Sequence, residues 1–243
     1  MKKIFIIVIL LLPVSSLFAQ ADEVKSPTAA DYPQIAKIGK QVADFVPKDF
    51  KIVGQATGDL NGDKAADYAV VIKTDYERFK NTNNSFEEFD TNPRILIILF
   101  KNTARDGYEL AAQSNTFIVA PDGPTAEEPF QDIKIRNGVL QLNFISWHSM
   151  GSWSQSTSSY KFKYLNKEFA LIGADVVEDS RASGEGEARS YNFITRKVKI
   201  AKVANHDPVE KTARWKAINL KELKTLETYK KPWSWEIETD YIL

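Results

Sequence analysis

Asp59, Asn61, Asp63 and Asp67 lie within the stretch Gly58-Asp59-Leu60-Asn61-Gly62-Asp63-Lys64-Ala65-Ala66-Asp67. Their side-chain oxygens fall at loop positions 1, 3, 5 and 9, and the Ala65 carbonyl is available at position 7. Such an all-oxygen set suits a hard cation that takes roughly 6–8 ligands, and calcium is the ion expected here. The simpler reading is an acidic turn in which Asp and Asn bond their own backbone. An EF-hand would want Gly at position 6 and Glu at position 12, where this chain has Lys64 and Val70, so that motif is rejected. A bound ion is expected to be structural, because these ligands nearly fill its shell and calcium is a weak Lewis acid for hydrolysis.

A second chemical stretch is Trp147-His148-Ser149-Met150-Gly151-Ser152-Trp153-Ser154-Gln155. Tryptophans beside polar side chains can stack on sugar rings or hold a peptide, which makes Trp147, His148 and Trp153 the candidate ligand contacts. The competing reading is a strand end whose indoles complete the core. The other histidine, His206, sits in an Asn-His-Asp-Pro turn, and two isolated histidines do not make a zinc pair. Ser149 and Ser152 admit a Ser-His-Asp arrangement, but no Gly-x-Ser-x-Gly elbow accompanies it. A glycosidase needs only two carboxylates and leaves no local signature. A secreted hydrolase acting on polysaccharide or peptidoglycan is therefore the alternative to a binding protein.

The elements that must carry these residues read as follows. Residues 1–21 begin with Lys2 and Lys3, continue through an apolar run from Ile4 to Leu12 and end Ala19-Gln20-Ala21, the pattern of a secretory signal peptide. Pro13, Ser15 and Ser16 interrupt the run before it reaches the roughly 20 residues of a membrane span. The expectation is an extracytoplasmic protein, periplasmic or secreted, with no transmembrane segment once the leader is removed. With no cysteine, disulfides, thiolate metal sites and lipoprotein acylation are all excluded. The 32 basic and 32 acidic residues cancel and form no basic stripe, so nucleic acid is not an expected partner.

Residues 22–49 read as a polar leader and one N-terminal helix. Ile35, Ile38, Val42 and Phe45 share a helical face between Pro33 and Pro47, a stripe suited to plugging a sheet. From residue 50 to 243 the pattern is all-β, an antiparallel meander arranged either like a propeller blade or as a sandwich. Strands are expected over 50–56, 68–73, 94–100 and 108–113, with the aspartate loop between the first two and a solvated insertion over 74–93. Hairpins are expected at Asn137-Gly138, at Leu165-Asn166-Lys167-Glu168 and at Thr195-Arg196. Leu220–Tyr229 has the mixture of a short helix, and Trp233, Trp235 and Ile237 alternate as in a final strand that packs back on the sheet.

The segment 50–113, with Gly58-Asp59-Leu60-Asn61-Gly62-Asp63, Asp67, the apolar runs Tyr68–Ile72 and Ile95–Phe100, and Asp106-Gly107-Tyr108, resembles one FG-GAP or VCBS repeat of integrin-α-type propellers. The resemblance implies a calcium-binding loop in a module that recognises protein or carbohydrate. Many loops of that family have glycine where Lys64 stands, so a left-handed backbone there would carry strain. The loop occurs once, so a complete propeller is not implied.

Overall fold

The computed structural model describes residues 24–82, 88–239 and 241–243; the leader expected over 1–21 lies outside them. The first strands are β1 (Ile38–Gly39), β2 (Lys51–Gly58), β3 (Asp67–Lys73), β4 (Lys80–Thr82) and β5 (Glu88–Asp90). They are followed by β6 (Arg94–Asn102), β7 (Gly107–Ser114), β8 (Phe130–Arg136), β9 (Val139–Ser146), β10 (Ser154–Leu165) and β11 (Glu168–Ser180). The last are β12 (Gly186–Asn192), β13 (Lys197–Ala204), β14 (Asp207–Pro208), β15 (Arg214–Ala217), β16 (Glu236–Glu238) and β17 (Tyr241–Ile242).

The protein is all-β and antiparallel. One sheet has the order β1-β7-β6-β3-β2; a larger, curled one has β14-β13-β12-β11-β10-β9-β8, with β15 also on β13. Asn137 and Gly138 take φ of 53° and 72°, the two left-handed residues a tight hairpin turn demands, and β8 pairs with β9 across them. Asn166 and Lys167 do the same between β10 and β11.

The two sheets share a core. Ala69, Val71, Leu96 and Ile98 from one face of the small sheet meet Leu140, Leu142, Phe144, Tyr160 and Phe162 of the large one. Phe117, fully buried between them, meets Phe144, Phe162 and Tyr229 edge-on with ring centroids 5.9, 5.1 and 5.8 Å away. The sheets close together along β2 and β8, where a Cβ on Gly58 would lie 2.6 Å from Ile135 Cγ2. The arrangement is thus sandwich-like.

The other face of the small sheet is also buried. Val70, Ile72, Ile95, Ile97 and Leu99 are covered by Ile35, Phe45 and Phe50. Burial on both faces explains why Ile95–Leu99 is an unbroken apolar run. The N-terminal segment therefore is a plug, but it is not a helix. Two short 3-10 turns, Ala29–Asp31 and Val42–Phe45, flank β1, which pairs with β7 at Tyr108 and Glu109. Gly39 weakens a helix by about 1 kcal/mol, the Asp44 carboxylate accepts the N–H groups of Lys40 and Gln41, and the β7 edge offers an extended partner. Ile38, expected on the apolar face, is exposed.

Two further expectations need correction. Leu220–Tyr229 forms no helix: Thr225 bridges to Ala170, and Leu226 N–H bonds Phe169 O, so backbone pairing with β11 overrides helical propensity. The insertion over 74–93 is not merely solvated. It contains the β4–β5 hairpin and buries Phe79, Asn81, Phe89, Thr91 and Asn92. The C-terminal stretch does pack back: Trp233, Trp235 and Ile237 lie against the main core, though of the three only Ile237 is in regular strand, in β16, which pairs with β17.

Candidate functional site

The aspartate loop joins β2 to β3, whose antiparallel pairing fixes its two ends. Its side chains fold inward on its own backbone. Asp59 Oδ1 and Oδ2 accept the N–H groups of Gly62 and Lys64 at 2.7 and 2.9 Å. Asn61 Oδ1 accepts Asp63 N–H at 3.0 Å, and Asp63 Oδ1 accepts Ala65 N–H at 2.7 Å. The Asn61 amide also touches Asp63 Oδ2 at 3.0 Å. Gly62 and Lys64 have φ of 84° and 69°, so Lys64 does occupy the left-handed region.

Asp67 is different. It is fully buried at the start of β3, and its oxygens accept Leu60 N–H at 2.8 Å and Lys101 N–H at 2.9 Å. Burial pushes its carboxyl above the ordinary range, and these bonds only partly offset that. Asp59, Asn61 and Asp63 keep contact with solvent, and each carboxylate oxygen retains lone-pair capacity beyond one backbone bond. The donor chemistry fits a hard cation, with Asp59, Asn61, Asp63 and the Ala65 carbonyl on the loop and Asp67 bracing it from beneath. Among the described residues no ready-made cluster of three acidic, histidine or cysteine groups is present.

The Trp147–Gln155 stretch leaves the far end of β9. Trp147 is half-buried, whereas Trp153 is 73% exposed and so does not complete the core. His148 Nε2 lies 2.9 Å from Asp122 Oδ1. Arg181 holds the loop from just past the end of β11: its guanidinium sits 4.6 Å from the centre of the Trp147 ring and donates to the His148 and Ser152 carbonyls. Residues 125–129 zip alongside, with Glu127 N–H on Trp147 O at 3.0 Å and Ser149 N–H on Thr125 O at 2.8 Å.

These segments, together with 231–233, enclose a cleft of about 260 Å³ lined by Trp147, His148, Asp122, Glu127, Lys231 and Trp233. Sequence reasoning found Trp147 and His148 but not Asp122, Glu127, Arg181, Lys231 or Trp233, which come from remote parts of the chain. The Ser152 hydroxyl bonds Ser154 O at 3.0 Å rather than His148. His206 pairs instead with Asp179, which Gln155 also contacts.

Two carboxylates, Asp90 and Glu128, converge on Lys73 Nζ at 2.5 and 3.7 Å. Burial pushes Asp90 up, but bonds from Lys73 and Asn92 outweigh it and hold the carboxyl below its ordinary value. Glu128 is also held by the buried Arg94. Asp90, held ionised in this way, is not suited to be the neutral acid that glycoside cleavage requires.

The fold and these sites define an all-β protein of two facing sheets with an aspartate loop on its first long hairpin. The chain matches no family model, no curated protein and no solved structure.

Proposed function

We propose that this chain is an exported calcium-binding protein, related in kind to a single FG-GAP or VCBS repeat, that serves as a binding or envelope-associated module. The observation that carries the calcium assignment is the pre-folded loop. Asp59, Asn61 and Asp63 are already drawn around one turn by bonds to its backbone, so an ion would meet hard oxygens with little further ordering of the chain. The apolar leader supports export, to a compartment where calcium is abundant enough to fill a weak site. The ion's role would be to staple the β2–β3 hairpin to the core.

Calorimetric titration with calcium, paired with thermal melts in calcium and in chelator, tests this. At a calcium concentration of 100 times Kd, the ion should stabilise the fold by about 2.7 kcal/mol. Asp59→Ala combined with Asp63→Ala should abolish both the heat of binding and the difference between the two melts. Unchanged binding and melting in that variant would exclude the site.

A further inference from the structure

We propose that the cleft at the end of β9 is a binding site for a neutral sugar ring, with Trp147 as its stacking surface and Asp122, Glu127, His148 and Lys231 as its hydrogen-bonding rim. The cleft gives the binding-module reading a ligand class, and it depends on that reading only for its biological purpose. Its residues are separate from the aspartate loop. That loop lies beside Gly138 at one end of β9, and Trp147 follows the other end, roughly 25 Å away at about 3.3 Å per residue.

The chemistry of the lining selects the ligand. Val119, Ile145, Trp147 and Trp233 make apolar and aromatic walls, suited to the C–H face of a ring. The rim carries two carboxylates, an ammonium group and an imidazole. Mixed signs disfavour a simple anion or cation, because either would meet a like charge within the same small space. A wholly apolar ligand would fill the walls but gain nothing from the solvated rim groups. A pyranose has one apolar face and a circumference of hydroxyls that both donate and accept, and so satisfies walls and rim together. At about 260 Å³ the cleft falls slightly below the usual range for ligand cavities, a size for one ring rather than an extended chain.

The site is also held in shape before any ligand arrives. Arg181 fixes the Trp147 ring from one side and ties the His148 and Ser152 carbonyls together. Asp122 orients the His148 imidazole, and the bonds from Glu127 and Ser149 lock the two loop segments side by side. A recognition surface ordered in advance loses little conformational entropy on binding. Trp153 is exposed on the same loop but does not line the cleft.

The test is titration of the full mature chain with maltotriose, cellotriose and tri-N-acetylchitotriose, and with choline as a cationic counter-probe. Tryptophan fluorescence and indole N–H shifts in NMR spectra are followed in calcium and in chelator. At least one trisaccharide should bind saturably at millimolar concentration under both conditions, and choline should not. Asp122→Ala, on an exposed rim position, should weaken binding about tenfold or more, the loss expected of a charge-assisted hydrogen bond. Trp147→Ala should abolish it, and Trp215→Ala, an exposed indole on β15, should leave it unchanged. Melts of each variant separate lost binding from lost folding. Failure of all three sugars, binding of choline in their place, or sugar binding untouched by Asp122→Ala would overturn the proposal. A positive calcium titration beside failed sugar binding would leave the calcium assignment standing alone.

Discussion

The Asp67 carboxylate accepts the backbone N–H of Leu60 at 2.8 Å, so the end of the aspartate loop closes on its beginning inside the protein. Its second oxygen takes Lys101 N–H from β6. Asp67→Ala would strand one buried and one partly buried donor, at about 1–3 kcal/mol for a buried one, so a loss of about 3 kcal/mol is expected in urea unfolding. Asp67→Asn keeps one carbonyl acceptor and should lose less. Equal stabilities for both variants and the parent would show that the closure contributes nothing.

Lys64 has the opposite problem. Its φ of 69° places a side chain where a left-handed backbone costs about 1–2 kcal/mol. Lys64→Gly should raise the unfolding free energy by about 1 kcal/mol, with part of the relief offset by the freedom glycine adds to the unfolded chain. Lys64→Ala, which keeps the Cβ, should melt with the parent.

Gly58 marks the seam between the sheets. A methyl group there would press on Ile135, so Gly58→Ala should destabilise by about 1–3 kcal/mol. Combining it with Ile135→Ala, which removes the obstructing Cγ2, should make the glycine substitution cheaper than it is in the parent. A double-mutant cycle reads this coupling, and strict additivity would refute the contact.

Arg94 is 2% exposed and lies on Glu128 with N–O distances of 2.6 and 3.3 Å. It also donates to the Asn92 and Asp90 carbonyls, holding the base of the β4–β5 arm. Only the Arg94 side of the pair is buried and solvent screens the Glu128 side, so losing Arg94 and its bonds is expected to cost about 1–3 kcal/mol. Glu128 is partly exposed, so Glu128→Ala should cost less than Arg94→Ala, and both should speed hydrogen exchange in β4 and β5.

Glu238 carries the pH dependence of the C-terminal segment. Burial pushes its carboxyl up, but bonds from Lys216 and Tyr191 and the Arg189 guanidinium outweigh this and hold it below its ordinary value. A carboxyl lowered by folding stabilises the native state above the unfolded-state pKa of about 4.3, and that contribution disappears as pH falls through the folded value. The stability gap between the parent and Glu238→Gln should therefore be constant near neutrality and close progressively below about pH 4.

Features set by neighbours along the chain could be read from the sequence. Asn137-Gly138 specified its hairpin, and the Val- and Ile-rich runs marked β3 and β6. What depended on distant neighbours was misread. Ile35, Ile38, Val42 and Phe45 have helical spacing, yet the covered face of the small sheet buries Ile35 and Phe45 and leaves Ile38 outside. The spacing of Asp59, Asn61 and Asp63 suits an ion and backbone turns equally, because both draw the same side chains over the same loop. At the tryptophan cleft, Trp147 and His148 announced themselves, but Asp122, Arg181 and Trp233 meet them only through the fold.

The N-terminal plug has a consequence for the order of assembly. Ile35 and Phe45 come before the surface they cover, which belongs to β3 and β6, and β1 needs the later strand β7. They have nowhere to settle until the chain has grown past residue 110. The plug thus docks after the strands that follow it in the chain, and until it does, Val70, Ile72, Ile95, Ile97 and Leu99 form a sticky face that a chaperone or a second nascent chain would encounter.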